Sequence, residues 1–240
     1  MVIFMFKIFG KNCINEAIRA NHMIYQLDIE ELADKKDPNF KKMLQDKGIK
    51  YSILTKKSMD KKYGEKHQGF GAEVEPYKYA TLEDLINMKK DGRKIFLVLD
   101  GIEDPHNFGA IIRTCECAGV NYIIIPKKRS VSVNSTVYKT SAGALNNVKI
   151  VEVVNLSNTI TKLKDLGYWV YGAEAGSKDY KEIDYSGKTC LVIGSEGHGL
   201  KQIVASSCDE IISLPMKGKV NSLNASVASG ILIYEIMKYK

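Results

Sequence analysis

From residue 95 onward the sequence passes through six short, predominantly apolar segments, and this succession limits the possible folds more than any other feature. The segments are residues 95–100, 122–126, 148–153, 168–173, 190–194 and 211–216. A strand with one solvated face alternates apolar and polar residues, so a predominantly apolar run means both faces are covered. Helical patterns separate the runs, over 108–118, 156–166, 200–206 and 223–239. Strands alternating with helices predict an α/β fold built on a parallel sheet with helices on both faces. The last helix is apolar nearly all round, through Leu223, Val227, Ala228, Ile231, Leu232, Ile236 and Met237. Such a helix is buried in its own subunit or packed on a partner, and a dimer interface is the favoured expectation.

The first 76 residues predict a smaller α/β unit. Asn12 is a candidate helix cap ahead of Ile14, Ala17 and Ile18, and residues 23–29 read as a strand. Asp37-Pro38 is a cap followed by proline at the first helical turn, with Phe40, Met43 and Leu44 as the apolar stripe and Gly48 as the stop. A strand over 49–54, a basic helix over 55–63 and a turn plus strand over 67–74 complete the unit. Residues 77–92 form the expected linker, with a capping pattern at Thr81 and Asp84 and a polar break at Lys89-Lys-Asp-Gly92. The expected division is therefore 1–76, linker 77–92, and 93–240.

No apolar run reaches the ~18 residues of a membrane span. Met1–Phe6 is apolar but lacks a basic flank and a cleavage site, so it does not read as a signal peptide. Five cysteines, an odd number without a C-x-x-C pair, predict reduced thiols in a cytoplasmic protein and no metal site. The net charge of +7 is spread along the chain without a basic tail, which permits nucleic-acid binding without requiring it.

Chemistry concentrates at the ends of the apolar runs. After Asp100 comes a polar loop, then Asn107 as a candidate cap and Arg113 nearly two turns into the following helix, where it could hold an anion. No G-x-G-x-x-G or G-x-x-x-x-G-K-[ST] loop is present, so neither the dinucleotide fingerprint nor a P-loop is expected. His67, His106 and His198 lack metal-ligand spacing, and Ser195 falls one residue short of a nucleophile elbow. The last quarter carries Gly194-Ser-Glu-Gly197, then Leu214-Pro215, then Ser222-Leu-Asn224-Ala-Ser226 at a helix start. Two strand-end loops and a helix start rich in Gly, Ser, Asn and Glu predict a small-molecule site.

Asn107-x-Gly109 with Arg113, Gly194-Ser-Glu196-Gly197, and Leu214-Pro215 with Ser222-Leu-Asn224-x-Ser226, in that order, resemble the three motifs of the SpoU (TrmH) family of RNA ribose methyltransferases. His67-Gln68-Gly69 resembles the end of that family's N-terminal substrate-binding domain. The resemblance covers essentially the whole chain, and it is nearest to the bacterial enzymes acting on a guanosine ribose of 23S rRNA. It implies a SPOUT methyltransferase domain with a C-terminal trefoil knot, a homodimer, S-adenosylmethionine as methyl donor and no metal. It places catalytic roles on Asn107, Arg113, Glu196, Ser222 and Asn224, and cofactor contacts on Gly194, Leu214 and Leu223 with the loop at Ala173 and Glu174 nearby. RNA contacts are expected from Arg113, from Lys127, Lys128 and Arg129, and from Lys217 and Lys219. A tRNA or another rRNA site is the alternative target, and an inactive RNA-binding module the alternative role.

Overall fold

The computed structural model describes residues 5–87 and 95–239, so the expected break at Lys89–Gly92 lies outside the described residues. The chain forms two compact units, one of Met1–Lys78 with Val133–Asn146, the other of Tyr79–Ser132 with Asn147–Lys240.

The first unit runs β1 (Phe6–Phe9), α1 (Lys11–Arg19), β2 (Ile24–Glu30), α2 (Glu31–Lys36), α3 (Pro38–Asp46), β3 (Ser52–Leu54), α4 (Lys56–Tyr63) and β4 (Phe70–Val74). Its sheet has the order β1-β4-β2-β3, with β4 antiparallel to both neighbours and β2 parallel to β3. The core is aliphatic, with Ile8, Ile14, Leu27, Ile29, Leu44 and Met59 fully buried. Asp37 caps α3 by accepting from the Phe40 N–H at 3.1 Å, with Pro38 following it. Asn12, by contrast, does not cap α1. The chain leaves β1 through Gly10 at φ 91°, a conformation that favours glycine, so the helix already starts at Lys11.

Asp28 and His67, two of the polar residues buried in this unit, are both hydrogen-bonded. The Asp28 carboxylate accepts from Lys62 Nζ, Tyr63 Oη and Gln26 Nε2, each at 2.7 Å. His67 Nδ1 accepts from the Gly69 N–H at 2.8 Å, which leaves Nε2–H to donate to Asp60 at 3.0 Å.

The second unit begins with α5 (Leu82–Asn87), where Thr81 and Asp84 bond to each other's backbone N–H in a reciprocal capping box. Then come β5 (Ile95–Asp100), α6 (Pro105–Cys117) and β6 (Tyr122–Pro126). Helix α7 (Ser135–Thr140) and a 3-10 turn at Ala144–Asn146 belong instead to the first unit, inside the stretch 93–240 that the sequence reads as continuous. Val137 and Tyr138 are buried there, with the Tyr138 ring 5.5 Å from Phe6. The second unit resumes with β7 (Lys149–Val153), α8 (Leu156–Asp165), β8 (Trp169–Asp179), β9 (Thr189–Gly194), α9 (Gln202–Ala205), β10 (Glu210–Ser213) and α10 (Ala225–Met237).

Its six strands are parallel throughout, in the order β10-β8-β9-β5-β6-β7. Every residue of β5 and β9 is buried, as the predominantly apolar runs require. Three expected boundaries shift. Strand β10 stops at Ser213, short of Pro215, which has no N–H to give a sheet. Helix α9 is a single four-residue turn. Strand β8 runs on past Ala173 to Asp179, so Ala173 and Glu174 belong to a strand and not a loop. Helix α10 buries Ala225, Leu232, Ile233 and Ile236, while Val227, Ile231 and Tyr234 stay 38–50% exposed, so its apolar surface is only half used.

Candidate active site

The carboxyl end of β9 builds the centre of the site. A Cβ at Gly194 would lie 2.2 Å from the Gly199 carbonyl carbon and 2.5 Å from the Leu200 nitrogen, so no side chain fits there. The bare backbone lets the chain fold back on itself. Ser195 and Gly199 exchange two backbone hydrogen bonds, at 3.1 and 2.9 Å, and close a loop whose tip is Glu196-Gly197-His198. Gly199 takes φ 63° to make the turn.

Two helix starts face this loop. Asp104 caps α6 by accepting from the N–H groups of His106 and Asn107, with Pro105 at the first position. Asn107 is therefore not the cap expected from sequence; it stands in the first turn, and its side chain is released for other bonds. Asn224 caps α10, its Oδ1 accepting from Ser226 N–H at 3.0 Å, Val227 N–H at 3.3 Å and Ser226 Oγ at 2.5 Å.

The two asparagines and Glu196 form a closed triangle. Asn107 Nδ2 donates to Glu196 Oε1 at 2.8 Å, and Asn224 Nδ2 donates to Asn107 Oδ1 at 2.9 Å and also to Glu196 Oε1. The Ala225 N–H adds a fourth bond, to Glu196 Oε1 at 3.1 Å. This one carboxylate takes three donors at the start of a helix and joins all three sequence motifs in one network.

A cavity of about 380 Å³ opens on one side of the loop, between the ends of β8, β9 and β10 and the start of α10. Ala173, Gly194, Leu214 and Leu223 all line it, as do Glu196 and Ser222. Ile193, Ile212, Met216, Ala228 and Leu232 make its wall apolar, and Glu174 supplies a second carboxylate. An apolar slot with carboxylates at its edge suits a flat heterocycle that carries positive charge, and the volume is in the range of small-ligand sites. A second cavity of about 370 Å³ lies on the other side, lined by Gly101, Ile102, Glu103, Asp104 and Asn107. Residues 195–198 line both cavities and are the wall between them.

The basic residues named from sequence lie around this pair. Lys127, Lys128 and Arg129 are exposed on the loop after β6. That loop is tied to the second cavity, because Val131 N–H and Ser130 Oγ both donate to the Ile102 carbonyl. Lys217 and Lys219 are exposed between Met216 and Asn221, which line the first cavity. Arg113 is the exception: it is exposed on α6 and lines neither cavity. The sequence assigns no role to Glu103, Asp104 or Lys201, and offers His198 only as a histidine without metal-ligand spacing, although it lines both cavities. Asp104-Pro105 repeats the pattern that revealed α3 and could have been found by it. Among the described residues no group of three or more His, Cys, Asp or Glu could hold a metal ion, and no helix is long and apolar enough to cross a membrane. Burial pushes the Cys208 and Cys13 thiols up to about 12, and Cys115 and Cys190 higher still, so none of these is a nucleophile at neutral pH.

Residues 94–234 match the SpoU rRNA Methylase family, and residues 7–80 match the RNA 2'-O ribose methyltransferase substrate-binding domain. A Staphylococcus aureus protein assigned to the TrmH family of tRNA/rRNA methyltransferases is 41% identical over 235 residues, covering 96% of this chain and 95% of its own. The AdoMet-bound rRNA methyltransferase of Sinorhizobium meliloti superposes with a TM-score of 0.80 at 25% identity, over 98% of this chain and 87% of its own. The SpoU methyltransferase AviRb of Streptomyces viridochromogenes, solved with AdoMet, shares the fold with a TM-score of 0.81 at 20% identity, over 98% and 89% of the two chains. The chain belongs to the SpoU methylase family.

Proposed function

We propose that the protein transfers a methyl group from S-adenosylmethionine to the ribose 2'-hydroxyl of a nucleotide in RNA, most specifically a guanosine of 23S rRNA, in the cytoplasm. The observation that carries this reading is the Asn107–Glu196–Asn224 triangle, set in a wall with an apolar, carboxylate-edged cavity on one side and a polar cavity on the other. The first cavity would take the cofactor: its apolar lining faces the adenine, while Glu174 and Glu196 suit the positive amino and sulfonium groups. When bound, the cofactor supplies an electrophilic methyl. The second cavity would take the target nucleoside, with the basic loop 127–129 and Lys217 and Lys219 on the flanking phosphates.

The chain's own residues then have three tasks. They must hold the 2'-oxygen in line with the methyl, and orientation of this kind is worth roughly 7–11 kcal/mol. Asn107, Ser222 and Asn224 would do this, fixed by Glu196. They must also favour loss of the hydroxyl proton. A guanidinium stays protonated, so Arg113 would act by stabilising the developing alkoxide and gripping the adjacent phosphate. Finally they must exclude water, which the apolar α10 start assists.

Arg113 lines neither cavity of its own chain, and a homodimer gives it a role. Val227, Ile231 and Tyr234 form an exposed apolar stripe on α10, with exposed Leu223 just ahead of the helix, and α10 lies against α6, with Gly230 beside Thr114. Arg113 follows on the exposed side of α6. Packing two copies through this face would cover the stripe and bring each Arg113 toward the partner's cavities. The C-terminal knot implied by the family resemblance belongs to this reading.

The test is methyl transfer from labelled S-adenosylmethionine into ribosomal RNA of cells lacking the protein, mapped by resistance to alkaline cleavage. One protected 23S linkage supports the full reading; incorporation into tRNA alone keeps the chemistry and replaces the target. Arg113→Ala should abolish turnover and leave cofactor affinity near normal. Mixing Arg113→Ala with Glu196→Gln should restore part of the activity by pairing one intact site, and no recovery in a verified mixed dimer would refute the shared site.

A further inference from the structure

The loop that separates the two cavities is held at its root by Gly194 and by the Ser195–Gly199 pair. Its exit is held by a contact that none of the family motifs contains. Asp100, the last residue of β5, has a side chain with no exposed surface. Its Oδ2 accepts from the Lys201 backbone N–H at 2.9 Å, and its Oδ1 from Lys201 Nζ at 2.5 Å. One carboxylate thus grips both ends of a single lysine, directly after the loop and directly before α9. Asp100 is paired with Gly194 in the sheet, so the strand end that carries the carboxylate is next to the strand end that launches the loop. Lys201 Nζ also lies 3.7 Å from the position a Cβ would take on Gly101, and Ser195 Cβ lies 3.9 Å from the same point. Gly101 lines the second cavity and Ser195 lines both.

We infer that Lys201, fixed by buried Asp100, is a positioning residue for methyl transfer: the pair sets where the wall of residues 195–199 stands between methyl donor and acceptor. A buried carboxylate needs a counter-charge and hydrogen bonds to be tolerated, and this one receives both from one residue. The position of the wall fixes the separation and angle of the two ligands while each can still occupy its own cavity. Displacement of a catalytic element by about 1 Å costs on the order of 100-fold in rate. The pair should therefore act on turnover more than on either binding step. The inference rests on the methyltransferase reading above.

The experiment compares Lys201→Met, Lys201→Arg and the double variant Asp100→Asn/Lys201→Met with the parent protein on an RNA that the parent methylates. In Lys201→Met the backbone bond to Asp100 survives and the ammonium is lost. Its kcat is expected to fall roughly 10- to 100-fold, with the Kd for S-adenosylmethionine and the KM for RNA each within about threefold. Lys201→Arg keeps the charge and a donor and should retain at least a third of the parent kcat. The double variant removes both charges together, so its Tm should return to near the parent value while kcat stays low. Recovery of kcat together with Tm in the double variant would show a purely structural pair and overturn the inference. A rise in RNA KM with a weaker salt dependence and unchanged kcat would make Lys201 a phosphate contact, and would overturn it as well. If the parent methylates neither rRNA nor tRNA, the functional reading fails first, before these variants are compared.

Discussion

Asp28 in the first unit and Asp100 in the second are both buried carboxylates on strands, and their surroundings differ in an instructive way. Asp28 lies inside β2, five residues into the strand, and its three donors come from the same compact unit: Gln26 two residues away, and Lys62 and Tyr63 on α4. It fastens a helix onto a sheet. Asp100 ends β5 and reaches beyond the sheet to a loop a hundred residues later in the chain. It fastens nothing in the core. The four-stranded mixed sheet uses its buried charge to hold itself together, whereas the parallel sheet keeps its central strands β5 and β9 almost wholly apolar and gathers polar groups at the carboxyl ends. That is where ligands of open α/β sheets bind, since only there do the connecting loops converge.

Substitutions at the two kinds of position should separate stability from chemistry. The largest effect is expected at Gly194, because its neighbours are backbone atoms that cannot turn aside. Gly194→Ala should lose S-adenosylmethionine binding by calorimetry and at least 100-fold in methyl transfer, and near-normal binding would show that the loop can shift as a whole. Asp28→Ala should do the reverse. Removing the acceptor of Tyr63 and one of the two carboxylates paired with Lys62 costs roughly 3 kcal/mol, read as a lower denaturant midpoint for the first unit, with cofactor affinity unchanged.

The same carboxylate gives the contrast a pH dependence. Burial would raise the Asp28 pKa, but hydrogen bonds from Lys62, Gln26 and Tyr63, aided by the Lys62 charge, outweigh it and hold the group below its ordinary value of 3.8. A pKa lower in the folded state means stability that is present above the unfolded value and lost as pH falls through the folded one. The first unit should therefore weaken below about pH 4, and Asp28→Asn should flatten that acid limb in a pH series of unfolding midpoints. The smallest effect is expected at the rim. Lys217→Ala should reduce the salt slope of RNA binding by about one, with turnover at saturating RNA unchanged.

Much of the fold was legible because its signals are local. The apolar run 122–126 became β6 residue for residue, and Asp37-Pro38 and Thr81 with Asp84 behave as the capping patterns they resemble. Strand β8 was cut short on paper because Glu174, Ser177 and Lys178 are polar. It continues since Lys178 and Asp179 pair with Ile212 and Ser213, a fact that depends on a strand more than thirty residues away. Helix α7 has only six residues and no long apolar stripe, so its place in the first unit leaves no periodic trace. In the site, the motif residues were visible as residues, but the triangle was not, because Asn107, Glu196 and Asn224 meet only after β5, β9 and α10 are assembled. Asp100 and Lys201 carry no motif at all; only burial and distance reveal them. Arg113 shows the opposite limit: its motif is plain, yet its side chain lines neither cavity.

The neighbouring positions of β5 and β9 have one more implication, which concerns time. Ile95 lies opposite Thr189, so the central pair of the sheet joins positions separated by more than a third of the chain. Pairings of such long range are slow to form, because the intervening chain must close a large loop before any bond rewards it. During synthesis, β5 and β6 can leave the ribosome and pair well before β9 exists. Until then one edge of a strand that is apolar up to its last residue is open to any passing partner. The arrangement that brings Gly194 beside Asp100 thus makes the nascent chain dependent on protection at the very strand around which its active site will be assembled.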